Sequence, residues 1–511
     1  MALRRRDTDD QGELWVTTDQ MAKAPGHVFY ERLNGLLAES GFDPFVENLV
    51  APYDADKGRP GIAPGVYFRM LFVGYFEGID SQRGFAWRCE DSLSLRKFLG
   101  LKLTESVPDH SSLTRIRDRY PLEVIDQVFA FVLQMANARK LISGSAVGVD
   151  STMLEANAAM RSIVRRDTDE DWKAYIRRLM QEEGVIDEDD EPTDEDLRRY
   201  DRQRKEKKVS NKQWKSSSDD DARIVKMKTG RTRMGYKAEH AVDLQTEVVL
   251  SATVRHGTDP DSHTLVEATV HAQINVANAG SGADIQEVVA DKGYHANAQL
   301  AECDLWGLRT YIPAPSSPQR RRWTDKPKEV MQAVLNNRRR TGRVKGKRLQ
   351  RLRSERVERS FAHVCETGGA RRTWLRGLEK VNKRYGLVVA AHNLGRIMRS
   401  LFGAGKPRQF SAVFRVFAAL WMLLTPRQCV HTVISRAAHF LTRILTNFGS
   451  SQALTRILTS STGCYGSVSM QLRTYRAKIR GARSTKRTKC QQMSLCIFGG
   501  CPSCVIKYFR M

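Results

Sequence analysis

Two aspartates stand where short apolar runs break off. Glu287-Val-Val-Ala290 leads into Asp291-Lys-Gly-Tyr-His295, and Ala146-Val-Gly-Val149 leads into Asp150-Ser-Thr152. An apolar run bounded by a turn residue reads as a buried strand. Each carboxylate is therefore expected at a strand's carboxyl end, where open α/β sheets collect their chemistry. One aspartate in such a place is most often a turn-former or a helix N-cap. Two of them make a candidate metal pair, because hard divalent cations take carboxylate oxygens.

A third acid is needed, and the stretch Arg351–Val364 offers one. Its spacing predicts a helix with Val357, Phe361 and Val364 as a buried stripe at i, i+4 and i+7. Glu358 borders that stripe, and its helical neighbours Ser354, Ala362 and Cys365 are small enough to leave its carboxylate room. Glu355 instead lies between Arg351 and Arg359 at i−4 and i+4, a setting for surface ion pairs. Asp150, Asp291 and Glu358 are thus the candidate catalytic and metal-binding set. Three such carboxylates can hold two Mg²⁺ (or Mn²⁺) ions, which would activate a water or a DNA 3′-hydroxyl for in-line phosphoryl transfer.

The charge around these acids is consistent with a polyanionic partner. The 511 residues carry 83 Lys plus Arg against 58 Asp plus Glu, a net +25, which points to nucleic acid, with a ribosome or an anionic membrane surface as the generic alternatives. From Arg320 to Arg359 there are 16 basic residues and 4 acids. A charge run is usually a solvated face, but this one leads into the helix of Glu358, so Arg351, Arg353, Arg356 and Arg359 are candidate DNA contacts. A second candidate lies upstream. Asp109-His-Ser-Ser-Leu-Thr-Arg-Ile-Arg-Asp-Arg-Tyr120 opens with N-cap residues and is expected to array Arg115, Arg117 and Arg119 around the exposed side of a helix that grips phosphates or enters a groove; a merely solvated face is the alternative.

These residues need a frame to hold them. Helical spacing recurs through residues 25–140, at Val28–Leu37, Val66–Phe76 and Val124–Met135. Residues 157–230 are charged and poor in apolar anchors, an insertion of one or two solvated helices and a loop. Tyr236–Leu244 and Glu247–Val254 read as strands joined by a tight Gln245-Thr246 turn, Thr264–Ala277 and Ala296–Leu305 as helices, and Arg309–Ile312 as a strand. The fold class is α/β, a mixed sheet flanked by helices and preceded by an all-helical N-terminal domain, with domains expected at 1–140, 141–405 and an unassigned 406–511. The element order matches an RNase H-like core.

No apolar core of a secretion signal follows Met-Ala-Leu-Arg-Arg-Arg. Phe414–Leu424 is too short to span a bilayer and carries Arg415, so it reads as a core helix. Sparse cysteines, with only Cys89, Cys303 and Cys365 before residue 400, suit a reducing cytoplasm. Near the end, Cys490, Cys496, Cys501 and Cys504 contain one Cys-x-x-Cys and could bind zinc, although their irregular spacing favours a disordered or frame-shifted end.

Taken together, Val149-Asp150-Ser-Thr152, Gly235-Tyr-Lys-Ala-Glu-His-Ala-Val-Asp243, Ala290-Asp-Lys-Gly-Tyr294, Arg356-Val-Glu-Arg-Ser-Phe361, Trp374-Leu-Arg-Gly-Leu378 and Ala390-Ala-His-Asn-Leu394 resemble the bacterial DDE insertion-sequence transposases, most closely the group numbered eleven-eighty-two. The resemblance covers about residues 25–402. It implies an RNase H-like catalytic domain with Asp150, Asp291 and Glu358 as the metal-binding triad, and a helical transposon-end reader before it. It also implies double-stranded DNA partners (inverted repeats and target), a homodimer on DNA, no membrane, and a cytoplasmic, nucleoid-associated location. The related signature places Tyr, Arg and Lys around the glutamate, where this chain has Arg351, Ser354 and Cys365. Two other readings stay open at this point: an RNase H-like nuclease without strand transfer, and a decayed element that only binds DNA.

Overall fold

In the computed structural model of the protein, the described residues are 25–53, 61–187, 189–205, 209–227, 229–316, 323–324 and 326–409. The basic run Arg320-Arg-Arg322, the expected helix Phe414–Leu424 and the four late cysteines lie outside them. Helices come first: α1 (Pro25–Glu39), α2 (Phe42–Val50), α3 (Pro64–Glu77), α4 (Gln82–Glu90), α5 (Leu93–Leu99), α6 (His110–Arg119) and α7 (Leu122–Ala138). Their ends follow local chemistry. Ser81, Ser92 and Asp109 accept amide hydrogen bonds at the starts of α4, α5 and α6. Gly78 and Gly100 end α3 and α5 at φ of 73° and 74°, a region costly for other residues. α3 buries Tyr67, Phe68, Met70, Phe72, Val73, Tyr75 and Phe76. A helix buried on every side sits at the centre of its bundle.

The rest alternates strand and helix: β1 (Ala146–Glu155), β2 (Ile163–Arg165), α8 (Trp172–Glu182), α9 (Asp194–Gln203), β3 (Trp214–Ser216), β4 (Arg223–Lys226), β5 (Thr232–Asp243), β6 (Val249–His256), α10 (Leu265–Asn278), β7 (Glu287–Ala290), α11 (Asn297–Leu305), β8 (Arg309–Tyr311), α12 (Lys328–Gly342), α13 (Val344–Phe361) and α14 (Leu378–Phe402). The main sheet runs β4-β5-β1-β7-β8, with β6 also on β5. β5 is antiparallel to β4, β6 and β1, whereas β1, β7 and β8 are mutually parallel neighbours. Parallel neighbours need crossovers, which α10 and α11 supply. The architecture is mixed α/β with a helical N-terminal region, as expected.

Three local expectations are revised. β1 does not end at Asp150. Residues 151–155 go on pairing with β5, from Ser151↔Glu239 to Glu155↔Gly235, so the strand outlasts its contact with β7. The β5–β6 connection is wider than a two-residue turn, because Asp243 folds the chain back by accepting from Gln245 N at 2.7 Å, and Glu247 adopts φ 64°. Within the charged stretch, α8 and α9 close on a small core of Ile176, Met180 and Leu197, beside a separate β2–β3 pair, and β4 already joins the main sheet.

One apolar core runs through the helical region and the sheet, and α14, with Leu387, Val389, Leu394 and Ile397 buried, packs on α3, α7 and β6. α13 lies against β1 at Gly148. A Cβ there would come within 2.7 Å of Leu244 Cδ2, 2.9 Å of Val357 Cγ2 and 3.2 Å of Arg353 Cγ, so the glycine makes room for both the Leu244 side chain and the helix. Gly148→Ala is expected to overpack this contact, costing about 1–3 kcal/mol. Urea unfolding checks this, and an unchanged midpoint contradicts it.

Candidate active site

Pairing between β1 and β7 runs from Ala146↔Glu287 to Val149↔Ala290. The next residues are Asp150, still within β1, and Asp291, just past the end of β7. The two aspartates therefore flank the same point of the sheet edge, and both are partly exposed. Ser151 N donates to Asp150 Oδ1 at 2.8 Å. Gly293 N donates to Asp291 Oδ1 at 2.8 Å, which makes Asp291 the cap of a short 3₁₀ turn, Lys292–Tyr294. The turn-former role and the site role are compatible, because only one of its oxygens takes that bond. Tyr294 is buried beneath and donates to Glu239 Oε1 at 2.9 Å. Burial pushes the Glu239 carboxyl up, against the opposing effect of hydrogen bonds from Thr264 and Tyr294.

α13 covers this edge. Its sheet-facing side carries Leu349, Gln350, Arg353, Val357, Ser360 and Phe361. Arg353 Nη1 donates to Asp150 Oδ2 at 2.7 Å, an ion pair with both side chains largely buried. Gln350 donates to the carbonyls of Ala290, at 3.0 Å, and Tyr311, which ties the helix to the strand end before Asp291. Further along, His240, the register partner of Asp150 on β5, bonds Ser360 Oγ at 2.9 Å and Tyr385 OH at 2.8 Å and stacks on Phe361. Ser360 Oγ already donates to Val357 O. It accepts from His240, so Nδ1 carries the hydrogen and Nε2 accepts from Tyr385. Immediately after Phe361 the helix widens into a π turn, Ala362–Glu366.

Glu358 stands off this face. It is exposed, with Ser354 Oγ donating to its Oε1 at 3.1 Å. Successive residues turn by 100° around a helix, which puts Glu358 on the flank opposite Arg356, whose guanidinium reaches Leu244 O in the β5–β6 connection. Glu355 is exposed and paired with Arg359, as its spacing suggested. Asp150 and Asp291 are thus brought together, while Glu358 is on the covering helix without joining them. Among the described residues no group of three or more His, Cys, Asp or Glu is gathered as a metal site.

The candidate DNA contacts divide in the same way. Arg115 and Arg119 are exposed on α6, but Arg117 is not: it lies on the same side of the helix as Leu113 and Ile116, 9% exposed, with its guanidinium 5.4 Å above the Trp374 ring. On α13, Arg351 is exposed. Arg353 is held by Asp150, Arg356 by Leu244 O, and Arg359 by Glu247 at 2.7 Å as well as by Glu355. Reading the sequence did not single out Gln350, Asp261, Lys237 or Ser151. Gln350 and Arg353 follow the spacing of the buried stripe back from Val357, a signal present in the sequence; Asp261 and Lys237 reach the site only through the sheet.

Comparison with known proteins gives two matches to family models. Residues 17–119 match a model described as Transposase domain (DUF772), and residues 313–398 match one described as Transposase DDE domain. The first spans α1 to α6, and the second holds α13 with Glu358; Asp150 and Asp291 fall between them. No curated protein matches, and no solved structure does. The two matches indicate a DDE-type transposase, a class of nucleic-acid-cleaving enzyme that normally uses divalent metals. Among the described residues no helix is long and apolar enough to cross a membrane.

Burial holds the His240 imidazole down at about 3. The unfolded chain binds that proton near the ordinary value of about 6.5. Its contribution to stability is therefore complete above about pH 6.5 and is lost as the pH falls toward 3. His240→Phe is expected to melt lower at pH 7, because Ser360 and Tyr385 lose a partner, yet to lose less stability than the wild type between pH 7 and 5. A steeper loss in the variant contradicts the neutral imidazole.

Proposed function

We propose that the chain is a DNA transposase that cuts and rejoins insertion-sequence ends, of the kind found in the eleven-eighty-two group, with Asp150, Asp291 and Glu358 as its catalytic acids. The observation that supports the reading is the register of β1 and β7, in which Asp150 and Asp291 each follow the last paired residue, beside a helix that carries Glu358. An RNase H-like core is supported by the strand order, three antiparallel strands followed by two parallel ones.

The donor set suits Mg²⁺ or Mn²⁺. Both aspartates offer hard oxygens at one sheet edge, and a cationic guanidinium already lies 2.7 Å from Asp150 Oδ2. Asp150, Asp291 and Glu358 would hold the metal. When bound, such ions stabilise the attacking and leaving oxygens of an in-line phosphoryl transfer. The chain's own groups prepare the carboxylates. The Ser151 and Gly293 amides and the Ser354 hydroxyl each fix one oxygen of Asp150, Asp291 and Glu358, and Arg353 offsets the charge of Asp150. Arg115 and Arg119 on α6 would grip phosphates of double-stranded DNA at the inverted repeats, and Arg351, on the helix of Glu358, would do so near the cut. A homodimer on DNA and a cytoplasmic, nucleoid-associated location go with this reading.

Joining of a labelled, pre-cut transposon end into plasmid DNA tests it. The wild type should give Mg²⁺-dependent joined product, and Asp291→Asn should abolish it while leaving DNA binding intact. Cleavage with no joined product leaves a nuclease; Mg²⁺-independent binding alone leaves a decayed element. Glu358→Gln should be as damaging as Asp291→Asn, and Glu355→Gln nearly silent; the reverse pattern reassigns the third acid. Replacing Arg115 and Arg119 by Ala should flatten the salt dependence of DNA binding by about one unit of log–log slope per arginine. An unchanged slope removes α6 from the interface.

A further inference from the structure

We propose that Asp261 is a positioning residue of this site, holding in place the two chain segments that carry Asp150 and Asp291. This rests on the two-aspartate reading above. Asp261 begins the short 3₁₀ turn Asp261–His263 between β6 and α10. Its Oδ1 accepts from Ser151 Oγ at 2.8 Å and from Lys237 Nζ at 3.1 Å. Ser151 directly follows Asp150, and its own amide fixes Asp150 Oδ1. The other Asp261 oxygen faces Gly293. A Cβ on that glycine would be 3.5 Å from Asp261 Oδ2 and 3.0 Å from Asp291 Oδ1, so the two carboxylates border the same small residue. One side chain thus bonds the residue after Asp150 and borders the glycine whose amide Asp291 caps.

Charge gives the contact a second consequence. Lys237 is 7% exposed and donates also to Asp259 O, so its ammonium is committed to this loop. With Asp261 replaced by asparagine, that buried ammonium lacks its counter-charge beside the carboxylate position that anchors Ser151, where it opposes a divalent cation. Both effects, loss of the Ser151 anchor and an unbalanced Lys237, act on metal affinity rather than on DNA affinity.

The test uses the full chain, with Mn²⁺ binding followed by electron paramagnetic resonance, alongside melting temperature and the Mg²⁺ dependence of cleavage. Asp261→Asn is expected to weaken Mn²⁺ binding about tenfold or more, the usual effect of removing a partner that orients metal ligands, and to raise the Mg²⁺ needed for half-maximal cleavage by the same factor, with DNA affinity unchanged. Ser151→Ala should move both in the same direction, and Ser151→Thr, which keeps the hydroxyl, should restore them. The double change Lys237→Met with Asp261→Asn separates position from charge: melting should recover, and Mn²⁺ binding should regain the part lost to the unbalanced ammonium but not the part lost with the Ser151 anchor. Full recovery of Mn²⁺ binding to the wild-type level in the double variant, or unchanged Mn²⁺ binding in Asp261→Asn, overturns the assignment. Asp150→Asn tests the underlying reading by itself: if it leaves wild-type Mn²⁺ binding unchanged, the two-aspartate site fails, and this role of Asp261 fails with it.

Discussion

The parallel pairing of β1 with β7, and the point where it stops, governs the rest of the molecule. Four residue pairs fix the register, and the residue after the last pair is an aspartate on both chain segments. A slip of one residue would turn one carboxylate to the opposite face. Register is costly to change here because Val147, Val149, Val288, Val289 and Ala290 are all buried. The apolar interior therefore holds two acidic residues at neighbouring positions of its edge. That placement is unfavourable unless cations share it, and Arg353 is one cation that the fold itself provides.

α13 turns this edge into a site. It approaches β1 over Gly148, is bonded through Gln350 to the carbonyl before Asp291, and is fastened beyond Glu358 by the His240, Ser360 and Tyr385 network. These attachments lie on one face of the helix and fix its rotation, leaving Glu358 and Arg351 on the exposed flank. The internal bonds of Arg353, Arg356 and Arg359 show that these cations of the helix serve the fold. Basic residues in the sequence do not all become basic surface.

Much of this was legible in the sequence, and what was not has physical reasons. The β-branched runs before Asp150 and Asp291, the capped helix at Asp109 and the Val357, Phe361 stripe announce themselves through local composition and period. The length of β1 does not, because Ser151–Glu155 is strand only by pairing with β5. Arg117 follows Leu113 at i+4, a spacing that places it on the buried side, but the ring that receives it, Trp374, is distant in sequence. Asp261 sits in Gly257-Thr-Asp-Pro-Asp-Ser-His263, which reads as ordinary turn chemistry; its contact with Ser151 spans 110 residues and exists only once β1 and β5 are paired. Neighbours along a strand can be read from period, whereas neighbours across a sheet depend on register.

The central claim is that Asp150 and Asp291 jointly hold the divalent metal with Glu358 completing the set. Anomalous diffraction from crystals of the chain grown with Mn²⁺ and a transposon-end duplex tests it most directly. The account predicts an anomalous peak within ligand distance of both aspartates, with Glu358 drawn toward it. A peak that touches neither aspartate, or one held by Glu355 in place of Glu358, contradicts it.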